Sequence, residues 1–290
     1  MQFGIREICD VVFKAKAPGQ LGTMSYVAGQ PVLYIDTAKT STMEGAATTV
    51  YAQGGKGNAR LIAWEGERTL TFTVEDALLS EVGFAMLSGA GLLNHATQSA
   101  KVHTTASAVV DSTGKIDLTD ALDTGDAIAT DAPIFVMIME HGSITGMISD
   151  LSVADKTLTG ATTHTNKTVL VDFYVKKNVS VTEMTIDMEN FAGYYYVEAS
   201  TLFRRQSDGQ DLPAELIFPN VKIQSNFTFN MAATGDPSTF TFTMDAMPGY
   251  TRFDRTKKVL CAMQIVEKVE QSGDDALTKD SIIDTAQAGE

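Results

Sequence analysis

The chain has 290 residues, of which 44% are hydrophobic and 20% are charged. This length and composition allow a sizeable core and exclude a globally disordered protein. Its 36 acidic residues outnumber its 22 lysines and arginines, which gives a formal net charge of −14. Because proteins hold nucleic-acid phosphates with Lys and Arg, this balance argues against tight binding of DNA or RNA.

The first residues of the chain show no basic region followed by an apolar stretch, so no secretory signal is expected. No apolar run approaches the ~20 residues of a membrane-spanning helix, so membrane insertion is not expected. Cys9 and Cys261 both lie in apolar sequence and are interpreted as buried, reduced thiols, with a disulfide between them left open.

Strand patterns dominate the first part of the chain. Residues 31–36 form a short apolar run that predicts a strand, whereas residues 37–45 are polar and predict a long surface loop. Residues 46–53 and 58–64 flank a glycine-rich turn, which predicts a hairpin. In residues 68–74, apolar side chains alternate with threonines, as in a half-buried strand.

One helix is predicted over residues 74–88. Thr73 is a candidate N-cap, and two acidic residues follow in the first turn, where the helix dipole favours them. A glycine at position 89 ends the pattern. Apolar residues recur at helical spacing and are expected to pack on the sheet; they include Leu78, Val82, Ala85 and Met86.

The middle of the chain is less regular, with strand candidates at residues 101–110 and 133–139. Strong strand patterns return after residue 168, including two strands, 214–218 and 221–231, separated by Pro219 and Asn220. The predicted fold is mainly β, an antiparallel β-sandwich or barrel with one flanking helix and an inserted peripheral region.

The domain organisation follows from this pattern. Residues 1–99 and 190–269 are assigned to the β core, and residues 100–189 to an insertion or peripheral β subdomain. Residues 270–290 carry six acidic residues against Lys279 and are interpreted as an acidic, partly mobile C-terminal tail.

No constellation of residues suggests catalysis. The four histidines, His95, His103, His141 and His164, show no metal-ligand spacing. The glycines around Lys56 lack the spacing of a phosphate-binding loop and precede a strand instead of a helix. The sequence therefore predicts no enzyme activity, no cofactor and no metal site.

Two stretches, residues 69–91 and 193–248, resemble tail tube proteins of bacteriophages. The first is a strand that runs directly into a helix, TLTFTVEDALLSEVGFAMLSGAG. The second contains YYYVEASTLFRR, PAELIFPNVKI and GDPSTFTFTMDAMP in that order. Together they cover under a third of the chain.

The resemblance implies a β-rich subunit that assembles with itself into stacked, hexameric rings forming a hollow tube. DNA passes through the lumen on ejection without tight binding, and an acidic wall would keep it from adhering. Other tail proteins, including a sheath in contractile tails, are the implied further partners. The location implied is the virion tail, after assembly in the host bacterial cytoplasm.

In such proteins a long loop after an early strand reaches the neighbouring ring. The residues that occupy the comparable place here are Thr37, Lys39, Thr40, Ser41, Thr42 and Glu44.

Two alternatives remain open at the level of sequence. One is another virion protein, such as a capsid decoration or baseplate component. The other is a carbohydrate-binding β-sandwich, for which the row Tyr194, Tyr195 and Tyr196 is a candidate, although strand alternation places Tyr195 opposite the other two.

Overall fold

The computed structural model describes residues 2–21, 24–186, 188–228, 231, 233–234 and 238–267. The acidic tail predicted at residues 270–290 lies outside the described residues. Within the described part, the chain is mainly β with one α-helix, and every strand pairing is antiparallel. The predicted fold class is confirmed.

The described elements follow one another in chain order. The strands before the helix are β1 (Phe3–Ile5), β2 (Asp10–Ala15), β3 (Gly19–Leu21), β4 (Met24–Tyr26), β5 (Pro31–Ile35), β6 (Ala38–Gly54) and β7 (Ala59–Asp76). Helix α1 (Glu81–Ser88) follows. The next strands are β8 (Gly91–His95), β9 (Lys101–Val109), β10 (Lys115–Asp117), β11 (Ala127–Ile128), β12 (Phe135–Glu140), β13 (Ser143–Ile148), β14 (Ser152–Ala154), β15 (Thr157–Thr159) and β16 (Thr168–Lys176). The last are β17 (Val181–Thr185), β18 (Tyr194–Arg205), β19 (Asp211–Ile223), β20 (Phe240–Ala246) and β21 (Ala262–Ile265). Short 3-10 turns span Thr119–Ala121 and Thr162–His164.

A nine-stranded sheet forms the main part of the fold. Its order is β5-β2-β18-β19-β20-β7-β6, with β1 added to β18 and β21 added to β19. Apolar side chains at alternate positions of these strands point to one face and form a buried cluster. In its interior, the rings of Phe72 and Phe218 stack with their centroids 4.8 Å apart.

A second hydrophobic cluster lies entirely within residues 106–175. It is formed by the sheet β11-β16-β12-β13, with β9 paired to β16, and by the three-stranded sheet β10-β15-β14. Strand β16 buries Val169, Val171, Phe173 and Val175 on one side. The two clusters share no residue, so the middle of the chain has a core of its own. The exact limits of an insertion stay a prediction.

The helix is shorter than predicted and begins later. Strand β7 continues to Asp76, because its last residues pair with β20 on one side and β6 on the other. Ser80 caps the helix in place of Thr73, its Oγ accepting a hydrogen bond from the Gly83 amide at 2.9 Å. At the other end Gly89 takes the left-handed conformation, with φ of 74°, that closes many helices.

The two strands predicted at residues 214–218 and 221–231 are in fact one strand over Asp211–Ile223. Pro219 and Asn220 lie at a bulge, where β19 uses one more residue than β18 between two successive pairs. A bulge tolerates proline, because the missing amide is not needed for the ladder. Tyr195 and Tyr196 are both buried, 7% and 8% exposed. Tyr195 joins the main cluster with Val197 and Ala199, whereas Tyr196 lies outside that cluster and its ring contacts the Arg252 guanidinium, so strand alternation holds along the tyrosine row.

The surface loop predicted at residues 37–45 is also wrong, because residues from Ala38 onward belong to β6. The polar composition is that of an edge strand, whose two faces are both solvated over most of its length. Threonine favours this setting, since a β-branched side chain fits the pleated backbone.

Candidate assembly surfaces

Strands β6 and β7 form a hairpin whose outer part leaves the sheet. Strand β20 pairs with β7 only over residues 71–76. Residues 46–69, here called the arm, therefore have no strand partner other than each other within the described chain. Residues 59–69 of β7 are all exposed. The arm lacks the support of a packed core.

Two bulges shape the arm. At its base Thr48 lies opposite Gly66 and Glu67, and its Oγ1 accepts a hydrogen bond from the Glu67 amide at 2.9 Å. A Cβ at position 66 would lie 2.6 Å from this oxygen, so glycine permits the close approach. Nearer the tip, Leu61 is the extra residue between the pairs Ala52–Ile62 and Gln53–Arg60. Bulges increase local twist and re-aim the side chains beyond them.

One face of the arm is apolar. Val50 pairs with Trp64 and Ala52 pairs with Ile62, and successive pairs two residues apart project to the same side. The side chains of Val50, Ile62 and Trp64 are 63%, 55% and 53% exposed. An apolar face of this kind on an exposed hairpin is typical of an interaction site.

The opposite face of the arm is more polar. Thr49 pairs with Glu65 there, and the Arg60 guanidinium lies 4.2 Å from the centre of the Tyr51 ring. The arm is thus amphipathic, and at its base Ala46, Ala47, Arg68 and Thr69 line a cavity together with residues 257–261.

The predicted inter-ring residues lie at the root of the hairpin, not at its tip. Thr37 precedes β6, and Lys39, Thr40, Ser41, Thr42 and Glu44 lie within it. Thr37 Oγ1 donates to the buried Asp76 at 2.5 Å, and the Cys9 amide donates to Ser41 Oγ at 3.1 Å. These contacts tie the root to its own subunit, and a contact with another ring stays a prediction for these residues.

Glu75 links three elements at this root. It accepts hydrogen bonds from Thr239 at 2.5 Å, just before β20, and from Thr40 of β6 at 3.1 Å. These two bonds hold the pKa of Glu75 below its ordinary value, with nearby Lys39 acting in the same direction. These bonds hold β6, β7 and the residue before β20 together at the root.

The residues predicted to form the packing face of the helix divide into two groups. Ala85 and Met86 are buried, and Val82 packs against the main cluster while partly exposed. Leu78 precedes the helix and is 65% exposed, so its predicted packing role is wrong. The helix starts at Glu81, and Leu78 lies in the connection from β7.

Sequence reasoning missed Val50, Ile62 and Trp64. A signal was present, because these residues fall on one face when pairs are counted outward from the glycine-rich turn. To assign these pairs from the sequence, however, one must know that Leu61 is a bulge residue, and no sequence feature indicates this.

The described chain offers little for catalytic chemistry. No group of three His, Cys, Asp or Glu residues is arranged to hold a metal ion in the described ranges. Cys9 and Cys261 are free, one buried and the other half-buried. None of the helices described in the structure is long and apolar enough to span a membrane.

Comparisons with known proteins give one family. The model of the YomU/Tube protein family matches residues 3–258, which span both hydrophobic clusters and the whole arm. No curated protein matches the chain.

Proposed function

The chain belongs to the YomU/Tube protein family, and from this membership we propose that it is the structural subunit of a phage tail tube. In this proposal the subunits form hexameric rings, and the stacked rings make a conduit for DNA ejection. Its place is the virion tail, after assembly in the host bacterial cytoplasm. The role is structural and not catalytic.

The observation that carries the proposal is the exposed apolar face of the arm. Burying a Val, Ile or Trp side chain contributes about 1.5–3 kcal/mol, so three of them left in water favour association strongly. Nothing in the described chain covers this face. A neighbouring subunit is the partner that a repeating assembly supplies.

The free edge of the main sheet supports the same proposal. Strand β6 is 17 residues long and lies at the end of the sheet order, so one row of its backbone groups has no partner in the described chain. It contains no proline, and Lys39 and Glu44 are its only charged residues. Edges of this length are usually protected or paired, and a ring offers pairing.

The acidic balance suits a conduit. A net charge of −14 disfavours adhesion of DNA to the subunit, because a negatively charged subunit repels the phosphates. Passage of DNA requires a wall that does not bind it.

The carbohydrate-binding alternative loses its main support. Sugar sites present aromatic rings to solvent, but Tyr195 and Tyr196 are buried and only Tyr194, at 51%, remains exposed. No observation favours a decoration or baseplate role over self-assembly.

Two measurements on the purified full chain test the proposal. Negative-stain electron microscopy is expected to show rings or hollow tubes at high protein concentration. Trp64 is the only tryptophan of the chain, so its fluorescence reports on the arm alone. As concentration rises, the emission is expected to shift to shorter wavelength when the ring leaves water. A chain that stays monomeric, with constant emission up to the highest soluble concentration, contradicts self-assembly.

A further inference from the structure

A basic groove lies at the bulge of β19. It has a volume of about 730 Å³ and is lined by residues from five separate parts of the chain. Its cations are Lys16, Arg252, Arg255 and Lys258. Four cations converging in one groove are unusual in a chain with this excess of acidic residues.

None of these four cations forms an ion pair in the part of the chain that the structure describes. Lys16 Nζ donates to two neutral oxygens at the bulge, Pro219 O at 3.2 Å and Asn220 Oδ1 at 2.8 Å. Burial of Lys16 lowers its pKa, and no carboxylate opposes this shift. By contrast, Lys101 and Lys176 share one carboxylate elsewhere in the chain.

Asp254 is the carboxylate nearest in sequence, but it is turned toward its own loop. It accepts hydrogen bonds from the backbone amide and the hydroxyl of Thr256, at 2.7 and 2.5 Å. These bonds hold the pKa of Asp254 below its ordinary value. Asp254 therefore does not form an ion pair with the cations of the groove.

Aromatic rings hold the cations in place and add apolar surface. The Arg252 guanidinium lies 5.2 Å from the centre of the Tyr196 ring and donates to Gly29 O at 2.8 Å. Lys258 Nζ lies 5.6 Å from the centre of the Tyr250 ring. Phe253, in the same loop, is 90% exposed. The groove thus suits a ligand that carries carboxylates and a few apolar side chains.

The chain itself contains such a ligand. Residues 270–290 carry six carboxylates against one lysine, which is five of the fourteen excess negative charges. Within them, Asp274, Asp275, Asp280 and Asp284 are interspersed with Leu277 and the pair at positions 282 and 283, both isoleucine. We propose that this acidic segment, residues 274–284, binds in the basic groove of the same molecule.

The length of chain permits this arrangement. Strand β21 runs along β19 from Ile217 toward Ala214, and the Val266 amide then donates to Pro213 O at 2.8 Å. Returning from Pro213 to Pro219 takes about 20 Å along the strand. The eight residues from Glu267 to Asp274 are joined by seven steps and extend to at most about 25 Å. The segment therefore reaches the groove of its own molecule.

Carbodiimide cross-linking of the full chain tests the proposal, because it joins only carboxylates and amines in direct contact. At low ionic strength, mass spectrometry is expected to find Asp274, Asp275, Asp280 or Asp284 joined to Lys16, Lys257 or Lys258. Replacing Arg252 and Arg255 with Ala keeps these amines but removes two cations, and the cross-link yield is expected to fall about fivefold. The matched control replaces Lys56 and Arg60 of the arm with Ala and keeps the wild-type yield.

Several results would overturn the proposal. One is an equal yield of cross-links to Lys115, which lies outside the groove, because the segment would then be contacting lysines at random. A second comes from an equal mixture of isotope-labelled and unlabelled chains. If half of the cross-links join a labelled chain to an unlabelled one, the segment binds another molecule and not its own. A third is binding of duplex DNA that is lost in the Arg252→Ala, Arg255→Ala variant, which assigns the groove to nucleic acid.

Amide hydrogen exchange gives an independent readout. Replacing the four aspartates of the segment with Asn is expected to speed exchange across residues 250–258 without changing exchange in β16, which belongs to the other cluster. Unchanged exchange in residues 250–258 would contradict the proposal.

Discussion

Val50 and Trp64 face each other across the two strands of the arm, and more than half of each side chain is exposed. Such a pair stabilises a hairpin only modestly, by about 0.2–1 kcal/mol. Stabilising the hairpin does not require the large apolar surface that Val50 and Trp64 leave exposed to solvent. In the proposed assembly, a neighbouring subunit covers this surface.

Replacing Trp64 with Thr tests this explanation. Thr keeps the strand propensity of the position but removes the apolar ring. Loss of about 1.5–3 kcal/mol at each interface is expected to raise the concentration needed for assembly at least tenfold. Sedimentation velocity measures this concentration, and circular dichroism checks that the strands are retained.

The matched control is Tyr51→Thr, because Tyr51 is an aromatic residue on the opposite face of the same arm. Assembly at nearly the wild-type concentration is expected for this variant. If both variants lose assembly equally, the arm acts through both faces. If Trp64→Thr assembles like the wild-type chain, the apolar face is not an assembly surface.

The main cluster offers a test of stability. Phe218 is fully buried and stacks on Phe72, so Phe218→Ala leaves a cavity that neighbouring strands cannot fill. The free energy of unfolding is expected to fall by about 3–5 kcal/mol, measured by urea denaturation. Phe253→Ala is the control, since this side chain is 90% exposed and its loss is expected to change stability by less than about 0.5 kcal/mol. Equal losses in the two variants would contradict the burial of Phe218.

Much of the fold was predictable where the local signal and the tertiary setting agree. The alternation of Leu70, Phe72 and Val74 marks a strand with one buried face, and the structure buries Phe72 and Val74. The glycine-rich turn before Asn58 marks the hairpin correctly. In these places each residue follows the general preferences of its element.

The errors arise where tertiary pairing overrides a local preference. Thr73 and Asp76 imitate a helix start, yet pairing with two neighbouring strands keeps both residues extended. Pro219 normally separates strands, yet a bulge accommodates it. The surface that covers Trp64 in the proposed assembly cannot be predicted from the local sequence, because it belongs to another molecule.

Asp131 lies between β11 and β12, and its carboxylate is expected to stabilise the folded state to a degree that depends on pH. Asp131 accepts hydrogen bonds from Lys101 at 2.7 Å and is 3.3 Å from Lys176, and these lysines are themselves paired across β9 and β16. The hydrogen bond from Lys101 is the main cause that lowers the pKa of Asp131 from 3.8 to about 2. A depressed carboxyl pKa stabilises the folded state above the ordinary pKa and ceases to do so as pH falls through the folded value.

The melting temperature of Asp131→Asn is therefore expected to lie below that of the wild-type chain at pH 6. The difference is expected to shrink as pH falls from about 4 to about 2, and to vanish below pH 2. Asp120→Asn is the control, because Asp120 forms no ion pair in the described part of the chain. A difference between Asp131→Asn and wild type that persists unchanged to pH 2 would show that the effect is not one of charge.

The two thiols are expected to react slowly in the folded chain. Burial raises the pKa of Cys9 and raises that of Cys261 to about 11. At pH 8 the reactive thiolate of Cys261 is then on the order of a hundredfold less populated than that of an exposed cysteine. Intact-mass measurements with iodoacetamide are expected to show two rapid additions in denaturant but slow additions without it. In the Cys261→Ser variant only Cys9 can react, so this variant gives the alkylation rate of Cys9. Rapid alkylation of the folded wild-type chain would show that opening of β21, which follows Cys261, exposes this edge of the sheet on the timescale of the reaction.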